Sequence, residues 1–194
     1  MLRVFTVLFI VTGLGAIGYG GYQLLKTELS VQNNLEEAKE VISQKQASKK
    51  PTEKDIQSFS PQEGDVVGIL FIPRIGIETP IVEGTDPDEL EKGVGHFATS
   101  AYPRQNDQVV LSGHRDTVFR KMKDIEIGDI ITVKLPHGDF SYKIAHTQVV
   151  GADDRTIIKS TAPNEELLLT TCYPFNFVGN APDRFVVTAY PINE

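Results

Sequence analysis

Leu167-Leu168-Leu169-Thr170-Thr171-Cys172 is an apolar, β-favouring run that ends on the chain's one cysteine and is followed at once by Tyr173-Pro174. A proline cannot donate to a sheet ladder, so a strand over these residues stops pairing there, and a side chain at its end can project from the sheet rim. Twelve residues beyond the cysteine, Arg184 heads a second strand-like run, Phe185-Val186-Val187. Upstream, Val109-Val110-Leu111-Ser112-Gly113-His114 is a strand running straight into a histidine. A thiol, an imidazole and a guanidinium, each at a strand end, are the parts needed for acyl transfer through a thiolate.

Taken singly, each part has an ordinary explanation. A lone cysteine often serves as a small buried hydrophobe, and an isolated arginine as a solvated charge. The joint pattern is what points to chemistry. The surrounding sequence reads mostly as strands: Val66–Pro73, Ile77–Val82, Gln108–Leu111, Ile130–Leu135, Phe140–Val150, Leu167–Thr171 and Arg184–Tyr190, separated by turn residues. Pro136-His137-Gly138-Asp139 reads as a hairpin turn. Asp86-Pro87-Asp88-Glu89 opens a short helix, with Asp86 as N-cap in a capping-box-like pair with Glu89, and Val118–Ile125 reads as a second. Many short strands with little helix predict a mainly β fold, closed or nearly closed into a barrel.

The ends of the chain differ from this region. Val4 to Leu25 is 22 residues without a charge, long enough to span a bilayer as a helix. Arg3 precedes it, which by the positive-inside tendency puts the start in the cytoplasm and the remainder outside. A cleaved signal peptide is the competing reading, but apolar and small residues continue well past the poor cleavage site at Ala16-Ile17-Gly18. Residues 26–62 read as a juxtamembrane helix, with Leu29, Leu35, Ala38, Val41 and Ile42 on one face, followed by a polar tether that includes Lys49-Lys50-Pro51. The expected division is therefore 1–25 cytoplasmic start and membrane anchor, 26–62 helix and linker, and 63–194 catalytic domain.

Residues 63–194 carry 12 Lys and Arg against 20 Asp and Glu, and an acidic domain of this kind argues against nucleic-acid binding. One cysteine excludes an intrachain disulfide framework. No zinc spacing, phosphate loop, dinucleotide fingerprint or calcium loop is present, so no cofactor and no required metal is expected.

Leu111-Ser-Gly-His-Arg-Asp-Thr117, Leu169-Thr-Thr-Cys172 and Ala181-Pro-Asp-Arg-Phe-Val-Val187 resemble the His, Cys and Arg motifs of sortases, the membrane-anchored cysteine transpeptidases of Gram-positive bacteria. The likeness runs from about Gly64 to the C-terminus and includes Gly68-Ile-Leu-Phe-Ile-Pro73 and a loop, Gly93-Val-Gly-His-Phe97. One departure is visible. The usual Thr-Leu-x-Thr-Cys box reads Leu168-Leu169-Thr170-Thr171-Cys172 here, a change inside the strand that predicts altered packing rather than lost chemistry. Tyr173-Pro174-Phe175, and the absence of an aromatic Asp-Pro plug in residues 26–62, resemble class D members more than the lidded class C enzymes.

The resemblance implies an eight-stranded barrel and cleavage after threonine in a Leu-Pro-x-Thr-type C-terminal sorting signal of surface proteins. Transfer would go to a cell-wall precursor amine of the lipid II type. Cys172 is then the nucleophile and His114 the general acid and base. Arg184, which does not deprotonate, stabilises the oxyanion or orients substrate. Thr171, adjoining the nucleophile, and His96, in the histidine-bearing loop, are expected in the substrate groove. Asp116 is structural or groove-lining, His137 exposed in its turn and His146 structural within a strand. Residues 173–183 either wall the groove with Phe175, Phe177 and Val178 or are pinned by them. A hydrolytic cysteine peptidase and a non-catalytic anchored domain binding peptide or wall polymer are the alternatives.

Overall fold

The computed structural model describes residues 2–46, 52–177 and 179–192, so Lys49-Lys50-Pro51 of the expected tether and Val178 lie outside the described residues. Eight strands close into a barrel: β1 (Val66–Ile72), β2 (Ile77–Glu83), β3 (Val94–His96), β4 (Gln108–Ser112), β5 (Ile130–Leu135), β6 (Gly138–Gly151), β7 (Glu166–Tyr173) and β8 (Asp183–Pro191). Around the barrel they run β1-β2-β3-β4-β7-β8-β6-β5. Every run read as a strand is one. The eighth strand, β3, lies in the segment read as a loop. A Cβ on Gly95 would sit 2.3 Å from the Gly84 carbonyl oxygen, so glycine is imposed by a neighbouring backbone rather than by a turn.

β5 shows the alternation expected of a strand with one dry face: Ile131, Val133 and Leu135 are buried and their neighbours less so. They meet Leu70, Ile72, Ile81, Leu111, Tyr142, Leu167 and Leu169 in one core. The three strands that deliver the candidate residues are different. Val110, Leu168 and Val186 form a second cluster of their own, covered by Phe97, Val150, Ile157 and Ile158. Apolar packing on both faces explains the unbroken runs Val109–Leu111 and Leu167–Leu169. Leu168, the departure from the family box, packs in that second cluster. Each such burial contributes about 1.5–3 kcal/mol, which stiffens this part of the wall.

The remaining sequence expectations are modified by packing. α3 (Pro87–Leu90) forms after Asp86, but the Asp86 side chain makes no cap hydrogen bond. Val118–Ile125 contains only a 3₁₀ turn over Met122–Asp124, and Phe119 and Met122 are both fully buried in the core. His137 is half-buried, its ring 4.8 Å from Phe59 and 5.5 Å from Phe140, not simply exposed.

α1 runs unbroken from Leu2 to Gln46. Its first half has apolar side chains open on every side, and among the described residues it is the one helix long and apolar enough to cross a membrane. The expected juxtamembrane helix is the continuation of this same helix. Leu35, Ala38 and Ile42 seat on Val66 and Ile69 of β1, and Ala38 is fully buried. Leu29, expected on that face, is 56% exposed. α2 (Glu53–Gln57), closed by a Thr52–Asp55 capping box, buries Ile56. Phe59 meets Tyr102 edge-on at 4.8 Å, while the Gln105 amide donates to the Ile56 and Phe59 carbonyls. Residues 53–59 are thus part of the folded body, not a polar tether.

Candidate active site

Strand register brings the three candidate residues together. β4 and β7 are parallel and pair as far as Ser112↔Thr170. Beyond that point the Gly113 N–H donates to the Thr170 carbonyl at 3.1 Å, and the Thr171 hydroxyl donates to the Gly113 carbonyl at 2.7 Å. Continued one residue further, this register carries His114 to the level of Cys172. On the other side β8 is antiparallel to β7, and Cys172 pairs with Arg184. Three adjacent strands therefore present a histidine, a cysteine and an arginine at one height of the barrel rim.

All three line a cleft of ≈ 260 Å³, together with Arg115, Asp116 and residues 179–181. Cys172 is a free, half-buried thiol. His114 is half-buried, and among the described residues its imidazole makes no hydrogen bond, which leaves both nitrogens available to a substrate. The Arg184 guanidinium donates to the Asp183 carbonyl at 2.9 Å and to the Ala181 carbonyl at 3.3 Å, so its direction is set by the backbone entering β8. Gly113 is required by close approach. A Cβ there would lie 2.7 Å from the Phe119 ring and 2.8 Å from Val118, so a larger residue would displace the turn that carries His114.

The other expected site residues stand elsewhere. Thr171 is 3% exposed and spends its hydroxyl on Gly113; it faces inward rather than into the groove. His96 is 1% exposed and does not line the cleft. Its Nδ1 lies 2.8 Å from the Glu83 carboxylate, and its Nε2 lies 3.0 Å from both the Ala101 carbonyl and the Ser100 hydroxyl. Tyr102 stacks on the ring at 3.9 Å and donates its hydroxyl to the same Glu83 carboxylate. Burial, reinforced by that carboxylate, pushes the Tyr102 phenol well above the usual tyrosine range. His146 sits exposed beside the irregular pairing of β6 with β8 and is not a structural histidine of the interior. Asp116 lines the cleft, is exposed, and makes no hydrogen bond to His114 among the described residues. Of the 173–183 connection, Phe175 packs on the core and against Tyr173 and Phe185, whereas Phe177 is exposed. Sequence reading did not single out Arg115 or Gly113, although both lie inside the Ser-Gly-His-Arg motif.

A larger open groove of ≈ 710 Å³ is bordered by Arg74, Lys121, Lys123 and Glu126. It holds no nucleophile, and Arg74 is tied to Glu126 and Asp129. Among the described residues, the one group of carboxylates close enough to share a cation is Glu63, Asp86 and Glu89, within 4.8 Å of one another. Two of these are exposed, and none lines the cleft.

Comparison with known proteins agrees with this architecture. A sortase-domain family model matches residues 70–192. The chain is 47% identical over 198 residues to Sortase D of Bacillus subtilis (strain 168), an alignment covering 96% of this chain and 97% of that protein. A Clostridium perfringens Sortase D5 transpeptidase superposes with a TM-score of 0.67 at 25% identity, over 80% of this chain and 98% of that one. A Clostridium perfringens sortase C, solved with a C-terminal cell wall sorting motif, gives a TM-score of 0.61 at 25% identity, over 82% and 91% of the two chains. The chain belongs to the sortase family of cysteine transpeptidases and is most like its class D members.

Proposed function

We propose that this sortase is held in the cell membrane by α1 as a single-pass anchor, N-terminus in the cytoplasm and barrel outside. It cleaves a Leu-Pro-x-Thr-type C-terminal sorting signal after threonine and passes the surface protein to a cell-wall precursor amine of the lipid II type. The observation that carries the reading is the shared cleft of His114, Cys172 and Arg184. The Cys172 thiolate adds to the threonine carbonyl, and the C–N bond breaks as His114 protonates the departing amine. This leaves a thioacyl-enzyme. His114 then takes a proton from the acceptor amine, whose attack breaks the C–S bond and returns the Cys172 thiolate beside a protonated His114. Arg184 retains its charge throughout and offers N–H donors to the oxyanion or to the substrate backbone. The class D relative supports the transpeptidase assignment, and the sorting motif held by the class C neighbour supports the substrate class. The continuous helix from the anchor to β1 supports a barrel kept close to the membrane, where a lipid-linked acceptor is found.

The test incubates the full chain in detergent with a Leu-Pro-x-Thr peptide library and an amine acceptor, followed by intact-mass analysis. The expected result is a thioacyl adduct on Cys172 and a transfer product. Hydrolysis alone would identify a peptidase, and neither product would identify a binding module.

A further inference from the structure

The connection between β7 and β8 is anchored at both ends. At its start, Phe175 is wedged between Tyr173 and Phe185. At its end, the Pro182 carbonyl accepts from the Ala152 N–H, and Ala181 is buried. The middle is different. Phe177 and Gly179 are exposed, Gly179 has a left-handed φ of 97°, and nothing lies within 4 Å of where its Cβ would be. Among the described residues, one side chain from outside the connection hydrogen-bonds this stretch. Arg115 Nη2 donates to the Phe177 carbonyl at 2.7 Å and to the Gly179 carbonyl at 2.9 Å. Arg115 directly follows His114 and lines the same cleft.

We propose that Arg115 is a positioning residue and specificity determinant: its guanidinium holds the Phe177 and Gly179 carbonyls against the His114 turn, shaping the groove that receives the peptide. The inference rests on reading the cleft as the transpeptidase site. One terminal nitrogen bridging two carbonyls of a tight loop fixes both position and orientation of that loop. A lysine ammonium keeps the charge, but its flexible stem lacks the preorganised planar fork. With the wall in place, exposed Phe177 offers an apolar ring to a peptide in the cleft. With the wall released, a peptide must order the loop itself on binding, and affinity falls while the reacting groups stay where they are.

The experiment compares the full chain in detergent with Arg115→Met and Arg115→Lys. Without any peptide, amide hydrogen exchange across residues 176–180 is expected to speed up at least tenfold in both variants, with exchange in β7 and β8 unchanged. With a cleaved Leu-Pro-x-Thr peptide, KM is expected to rise about tenfold and kcat to change less than threefold. Exchange unchanged in both variants would overturn the clamp. So would wild-type behaviour of Arg115→Lys, which would assign the effect to charge. A fall in kcat at constant KM would also overturn it, because it would place Arg115 in the chemistry. If wild-type enzyme cleaves no such peptide, the reading of the cleft fails, but the exchange comparison still decides whether Arg115 holds the loop.

Discussion

Two histidines in this barrel follow a glycine at a strand end, Gly95-His96 and Gly113-His114, and the fold treats them in opposite ways. His96 is buried, stacked on Tyr102, and has a hydrogen-bond partner at each ring nitrogen. His114 is half-buried at the rim, and among the described residues both its nitrogens are free for a substrate. The glycines serve the backbone in both places, each approached by neighbouring atoms closer than a Cβ tolerates. A Gly-His pair therefore marks a tight backbone position. Burial and bonding decide whether the ring is a strut or a reagent.

The sharpest way to test the contrast is to remove the reagents. Cys172→Ala is expected to abolish both cleavage and transfer, and His114→Ala to lower turnover by roughly 10²–10⁴-fold. Both variants should melt close to wild type, since neither side chain fills the core. A residual acyl adduct in Cys172→Ala, seen by intact mass, would move the nucleophile elsewhere. Arg184→Lys comes next. If directed donors matter, turnover should fall roughly 10²-fold despite the retained charge. A surface ion pair would cost under about 1 kcal/mol and leave kcat near normal.

His96→Ala should give the reverse signature. It removes the imidazole from the buried Glu83 carboxylate and leaves Tyr102 as its remaining donor, a loss of about 1–3 kcal/mol. Thermal or urea unfolding should register that loss, while the folded fraction keeps its kcat. A stable but inactive His96→Ala protein would break the distinction between the two histidines and return His96 to the groove.

How much of this was legible before the structure depends on what kind of interaction made it. The two-sided runs around Val110 and Leu168 announced strands, because packing on both faces leaves an unbroken apolar signature. β3 did not, since three residues with a glycine at their centre carry no periodicity. The helix expected over Val118–Ile125 is only a 3₁₀ turn over Met122–Asp124: its buried residues, Phe119 and Met122, stand three apart, a spacing that an α-helix and a 3₁₀ turn share. His114, Cys172 and Arg184 were legible as strand-end residues, but their common height depends on the parallel β4–β7 register between segments far apart in the chain. Thr171, expected in the groove because it adjoins Cys172, and His96, expected there from a motif likeness, are both buried away from the cleft: neither adjacency nor a motif says which face a side chain takes.

Thr171 lies between the two kinds of residue, and its removal should have the smallest effect. Thr171→Val keeps the shape and the β-branching that suits a strand, and deletes only the hydroxyl. The Gly113 carbonyl then loses a 2.7 Å donor in a buried setting, at a cost of about 1–3 kcal/mol. Because Gly113 directly precedes His114, part of that cost should reach the barrier. If ~1 kcal/mol does so, turnover slows roughly fivefold with KM little changed. Thr171→Ser, which keeps the donor, should recover most of the rate. A groove residue would behave differently, raising KM while leaving the melting temperature alone. Steady-state kinetics and a melting curve on the same two variants therefore decide whether Thr171 holds the histidine turn or touches the peptide.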